Sequence, residues 1–224
     1  MPTFDYALSP VEVPAEISAT HRAAWSRIAS PGSWWTAPQR VEAARLARIA
    51  RAGRNLPPWQ REAPASDPGL LPDRAVDLIC RVAVDVHALN EEWAREASAE
   101  LGDAAYVELC AVAVCVIAVD AFAEALGVEA EPLPEAQPGE PDHLRPEGMV
   151  DAGAFVPMAD NAAGPNVGRA LSLAPADNAM FFGLVGSMYA LSNFAELVWE
   201  QGPLSRPQVE LVAARVSAVN ECFY

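Results

Sequence analysis

Apolar positions fall at helical spacing through most of this chain, and they mark six or seven helices. Residues 15–29 (AEISATHRAAWSRIA) are amphipathic, with one apolar face. Residues 37–52 follow a hydroxyl cap at Thr36, and residues 73–83 and 91–101 follow Asp73 and Asn90, both N-terminal signals. Residues 103–126 open at Asp103, close at Gly127 and are apolar nearly all round, which predicts the central buried helix. Helical patterning returns at residues 175–190 and 205–219. In the last segment Val209, Val212, Val216 and Val219 lie on one stripe at heptad-like spacing, predicted to be its core face.

Between these blocks the pattern breaks. Residues 128–167 contain seven prolines and several glycines, which forbid a long helix. A stretch of that length without regular structure is either a wrapped arm or a connection between domains. The predicted organisation is a helical half over 1–127, a Pro-rich arm over 128–167 and a second helical segment over 168–224.

The two flanking parts carry an echo. TAPQ at 36–39 and SRPQ at 205–208 are both capping boxes, with a hydroxyl at the cap, Gln three residues later and Pro in the first turn. Each opens an Ala/Val/Arg-rich helix of similar length. If the echo reflects duplication, the chain holds two related helical halves. Aligning the boxes sets Val41 opposite Glu210 and Gly53 opposite Cys222, so the first copy has no cysteine at that place and reads as scaffold.

Composition agrees with an all-α fold. Hydrophobic residues make up 52% of the 224, while β-branched and aromatic runs are few. Charge narrows the partners. With 30 acidic and 15 basic residues the formal net charge is −15, which repels phosphate backbones and anionic membranes. No nucleic acid and no membrane partner is therefore expected. The start, MPTFDYALSP, lacks the basic and apolar regions of a signal peptide, and the run Leu109 to Val119 is too short to span a bilayer. These features predict a cytoplasmic protein with free thiols.

Four cysteines are present, Cys80, Cys110, Cys115 and Cys222. Cys110 and Cys115 stand about 140° apart around a helix and do not face each other. The first three lie in apolar helical contexts and are expected in the core. His21, His87 and His143 are scattered, with no metal-ligand spacing, and His87 is expected to face solvent or to cap. Trp34 and Trp35 read as apolar anchors before the Thr36 cap. With no phosphate loop and no nucleophile elbow, the chemistry to look for is thiol chemistry, and no metal or cofactor is predicted.

That directs attention to the end of the chain. Glu210 sits beside the valine stripe and Cys222 follows twelve positions later. On one continuous helix they would stand about 18 Å apart. A chain reversal at Asn220 would instead let Cys222 open a following helix and fold back toward Glu210. A thiol at a helix N-terminus has a lowered pKa, and a nearby carboxylate could relay its proton, as peroxide reduction by a thiolate requires.

The segment LSRPQVELVAARVSAVNECFY resembles the core motif of the alkylhydroperoxidase AhpD / carboxymuconolactone decarboxylase family, in its peroxidase-related branch. That motif is a Glu, eleven residues, then C-x-x-C and a His one turn later. GPNVGRALSLAPADNAMFFGLVGSMY resembles the approach to it, and WWTAPQRVEAARLARIARA resembles an earlier copy of the same helix. The resemblance implies an AhpD-like helical bundle forming homo-oligomers. It implies a proton-relay role for Glu210 and makes Cys222 the first cysteine of the pair. The second cysteine, which meets peroxide in the family, would be the residue after Tyr224. Either the sequence is a truncated reading of a longer protein, which the patterning favours, or the chain keeps the fold without the chemistry.

The function so implied is thiol-dependent reduction of a small hydroperoxide, in this chain by Cys222 with an external thiol reductant. The alternative is a non-catalytic helical oligomer serving as scaffold or binding module. A decarboxylase or lactone-processing role, from the family's other branch, needs an acid–base pocket that the sequence does not locate.

Overall fold

The computed structural model describes residues 3–61, 64–160, 166–189 and 204–219. Among these the helices are α1 (Ala15–Ala29), α2 (Ala37–Ala52), α3 (Asp73–Val84), α4 (Glu91–Leu101), α5 (Asp103–Ala125), the single turn α6 (Asn166–Arg169), α7 (Pro175–Met188) and α8 (Arg206–Val219). A two-residue antiparallel ladder joins β1 (Met149–Val150) to β2 (Met158–Ala159). The protein is all-α, as the periodicity predicts.

Local signals act where they were read. Asn90 Oδ1 accepts from the Trp93 N–H at 2.9 Å, closing the start of α4. Gln39 Oε1 accepts from both Thr36 N–H and Thr36 Oγ1 at 2.9 Å, and Gln208 Oε1 accepts from the same two groups of Ser205 at 2.8 and 2.9 Å. The two capping boxes of the sequence echo are therefore alike in geometry as well as in letters. Asp73 differs from its predicted place: it is the first residue of α3, after Pro72. Between α4 and α5 the chain turns at Gly102, whose φ of +90° a side chain would strain.

α5 is the centre. Fourteen of its 23 residues are buried, and it touches α1, α2, α3, α4 and α7. The apolar run Leu109 to Val119 alone is too short to span a bilayer, but the whole 23-residue helix is long and apolar enough; 61% of its apolar window is buried inside the protein. α2 meets it with a face of small residues, Ala43, Ala44 and Ala47, all fully buried. α3 adds Ala75, Leu78 and Ile79 at helical spacing, and α1 adds Ala24, Trp25 and Ile28. α7 packs on both α1 and α5, so the part of the chain after the arm docks directly on the part before it.

The Pro-rich stretch lies as an arm along the first half. Trp25 donates to the Pro132 carbonyl at 2.8 Å, the Gln137 N–H to the Ala29 carbonyl at 2.8 Å and the His143 N–H to the Ser33 carbonyl at 2.8 Å. Further on, Arg145 pairs with Asp103 at the start of α5. Extended Pro-rich backbone cannot satisfy its own polar groups, so it is held by anchors of this kind.

α8 departs from expectation. The Val209 stripe was predicted to be a core face, but Val212, Val216 and Val219 are 58%, 54% and 62% exposed. α2 and α8 match from their capping boxes onward, and the corresponding positions of α2 (Ala43, Ala47, Ala50) are buried under its neighbours. The pattern is the same in both helices. What differs is the presence of covering helices, which α8 lacks among the described elements.

A charged cluster ties four helices together. Arg40 of α2 is fully buried and donates to Glu108 Oε1 of α5 at 2.5 Å and to Asp177 Oδ1 of α7 at 2.6 Å. Arg27 of α1 forks onto Asp177 at 3.0 and 2.9 Å. Glu108 Oε2 accepts from the Ser33 and Trp34 N–H groups at 3.0 and 2.9 Å, which pins the α1–α2 loop. Two guanidinium groups thus face two carboxylates, and the net charge is zero. Burial and the nearby Asp177 raise the Glu108 pKa, against the pull of Arg40. Gly32 is required here, since a Cβ on it would lie 1.6 Å from Glu108 Oε1.

Replacing Arg40 by Met should cost about 3–5 kcal/mol in urea unfolding, because two buried carboxylates lose their main partner. Arg95→Met, which breaks the exposed Arg95–Glu91 pair, should cost less than about 1 kcal/mol. Equal losses would mean that the buried cluster is not special.

Candidate functional site

Glu210 lies in the second turn of α8, where a guanidinium and a phenol approach one of its oxygens. Arg206, one helical turn earlier, approaches Oε1 at 2.5 Å, and the Tyr189 hydroxyl donates to the same atom at 3.3 Å. Among the described residues no hydrogen bond to Oε2 is made, and the Glu210 side chain is 44% exposed. A carboxylate held by one oxygen and open at the other is placed to accept or pass a proton. Burial first, and the Glu210 charge second, raise the Tyr189 phenol above its ordinary pKa, so it stays a donor near neutrality.

Cys222 and Asn220 lie outside the described residues, so Glu210 is the one member of the predicted pair with a described environment. The pairing of Arg206 with Glu210 was available from their four-residue spacing. Tyr189 was not, because it stands 21 residues away at the end of another helix and only the fold brings it there.

The other cysteines are inert. Burial pushes the Cys80 thiol up to about 11 and the Cys110 thiol up to about 12, and raises Cys115 further. Near neutrality all three are protonated and poor nucleophiles. Cys115 is a core residue and Cys110 packs against the core, but Cys80, expected there too, is half-buried outside it.

A second polar pair is His21 with Tyr6. His21 of α1 is fully buried among Phe4, Tyr6 and Phe122. Its Nδ1 is in close hydrogen-bond contact with the Tyr6 hydroxyl, and its Nε2 lies 3.1 Å from Met188 Sδ. A neutral ring protonated at Nε2 fits both contacts, with the phenol donating to Nδ1. Burial lowers the His21 pKa to about 4, while burial and the Glu131 and Asp120 charges raise that of Tyr6. Periodicity placed His21 on α1, but its burial depends on the first residues of the chain folding back over it. His87 is exposed in a short turn, and His143 rests edge-on against Trp34. Among the described residues no group of three or more His, Cys, Asp or Glu side chains is placed to hold a metal ion.

Comparison with family models, with curated proteins and with solved structures finds no match to this chain.

The His21 environment makes a pH prediction. The folded-state pKa is depressed, so this contribution to stability is full above about pH 6.5 and is lost as pH falls toward 4. Up to about 3 kcal/mol should disappear over that window, at 1.36 kcal/mol per pH unit. Denaturant midpoints measured at each pH for wild type and His21→Leu should converge on acidification. Parallel curves would show that the ring is not neutral in the fold.

Proposed function

We propose that this protein is an AhpD-like, thiol-dependent reductant of small hydroperoxides, with Cys222 as its reactive thiol and Glu210 as its proton relay. The observation that carries the reading is the Glu210 carboxylate, held through Oε1 by Arg206 and Tyr189 and with no hydrogen bond to Oε2 among the described residues, on the helix that precedes Cys222 in sequence. The protonated state of Cys80, Cys110 and Cys115 supports it by leaving Cys222 as the candidate nucleophile.

In the reaction, the Cys222 thiolate attacks the terminal oxygen of the hydroperoxide and the O–O bond breaks. The alkoxide leaves as an alcohol, taking a proton relayed through Glu210, and the cysteine becomes a sulfenic acid. One external thiol condenses with it, releasing water and forming a mixed disulfide. A second external thiol then restores Cys222 and departs as the oxidised disulfide.

One observation favours a second reading, a helical oligomer without catalysis. The valine stripe on α8 faces solvent over two turns, and exposed apolar surface of this kind serves association. Assembly is also compatible with the first reading. Sedimentation should show species heavier than the 23.9 kDa chain at micromolar concentration, and Val212→Glu with Val216→Glu should release the monomer. A wild-type monomer under those conditions counts against association through α8.

For the chemistry, hydroperoxide consumption with dithiothreitol as reductant should vanish in Cys222→Ser. In Glu210→Gln it should fall on the order of a hundredfold. Consumption unchanged by Cys222→Ser removes the peroxidase reading and leaves the oligomer.

A further inference from the structure

The end of α2 presents Arg48, Arg51 and Arg54 at three-residue spacing to a cleft of about 370 Å³, opposite Asp120 and Glu124 of α5. Small apolar residues, among them Val128 and Ala130, complete the lining. Three guanidinium groups face two carboxylates there, so the cleft carries one positive charge in excess on a chain of net charge −15.

The three arginines are engaged to different degrees. Arg48 forks onto Asp120 at 2.7 Å through both contacts and also donates to the Glu131 carbonyl at 3.0 Å. Arg51 and Arg54 share one partner: Arg51 Nη2 donates to Glu124 Oε2 at 2.9 Å, and Arg54 Nη2 donates to Oε1. Arg54 Nη1 also reaches the Arg51 carbonyl at 3.2 Å. The Nε and Nη1 groups of Arg51 have no partner among the described residues, and its side chain is 21% exposed. Once Glu124 gives up Nη2, either of these groups forms with Nη2 a fork for a planar oxyanion.

Glu124 shows what the cleft accepts. Its side chain is 53% exposed and reaches in from solvent to bridge two arginines with its two oxygens. Ion pairs so open to water are weak and screened by salt, so an incoming carboxylate can exchange for Glu124 at little loss. The cleft volume exceeds what a bare carboxylate fills and is within the range of small-ligand sites.

We propose that this cleft binds a small organic carboxylate. Its head group sits on Arg51 and Arg54, its short apolar body lies against Val128 and Ala130, and Glu124 occupies the head-group position when the ligand is absent. The proposal stands independently of the thiol chemistry of Glu210 and Cys222.

Hexanoate binding to the full chain, followed by calorimetry at low salt with hexanamide as the uncharged control, tests it. Hexanoate should bind and hexanamide should not. Glu124→Gln, which removes the internal competitor, should tighten hexanoate about tenfold. Arg51→Lys, which keeps the charge but loses the planar fork, should weaken it by a similar factor, and thermal melts should show both variants folded. Three results would each overturn the proposal: no hexanoate binding to wild type or Glu124→Gln at about 10 mM, equal binding of hexanamide, or an unchanged affinity in Arg51→Lys.

Discussion

Arg40 occupies the point from which the rest of the molecule is organised. A guanidinium group with no exposure to water survives only where carboxylates and carbonyls surround it, and here they come from separate parts of the chain. Glu108 is supplied by the central helix and Asp177 by α7, on the far side of the Pro-rich arm. Arg27 then shares Asp177 and carries α1 into the same network. Removing any one of these helices would strand a buried charge, so the cluster couples α1, α2, α5 and α7 into one cooperative unit. The α1–α2 loop is part of it, because Glu108 also takes the backbone N–H groups of Ser33 and Trp34.

Around that unit, the same helical pattern meets two fates. α2 and α8 open with matching Gln-closed capping boxes and carry small or branched apolar residues at matching places. In α2 those places are covered by α3 and α5, while in α8 they face water. Amphipathicity states that a face suits burial and is silent about what arrives to bury it. For Arg40 the contrast is sharper still, because the matching position of α8 is Val209, so α8 has no arginine at that place.

The polar groups with chemical potential are spread rather than pooled. Burial raises the Cys80, Cys110 and Cys115 thiols and keeps His21 neutral, which makes them structural. Glu210 is partly exposed, with one carboxylate oxygen held, and Glu124 spans two arginines at the rim of a cleft. Each of these two acids lies near a helix end, where side chains reach solvent and can exchange partners.

The chain's own letters were enough for the all-α class, for the bounds of most helices to within a residue or two, for the central place of α5 and for both capping boxes. Those features depend on neighbours a few residues apart, so local spacing carries them. Local spacing also held the Arg206–Glu210 pair. It did not hold the Arg40–Glu108–Asp177 knot, the burial of His21 under Phe4 and Tyr6, the reach of Tyr189 to Glu210 or the arginine cleft. Each of these joins residues from different elements, and the letters of one element do not say which partner the others bring. The α8 stripe shows the converse: a periodicity fit for a core became a solvent-facing surface because burial is settled by packing between helices, which is a property of the tertiary structure alone.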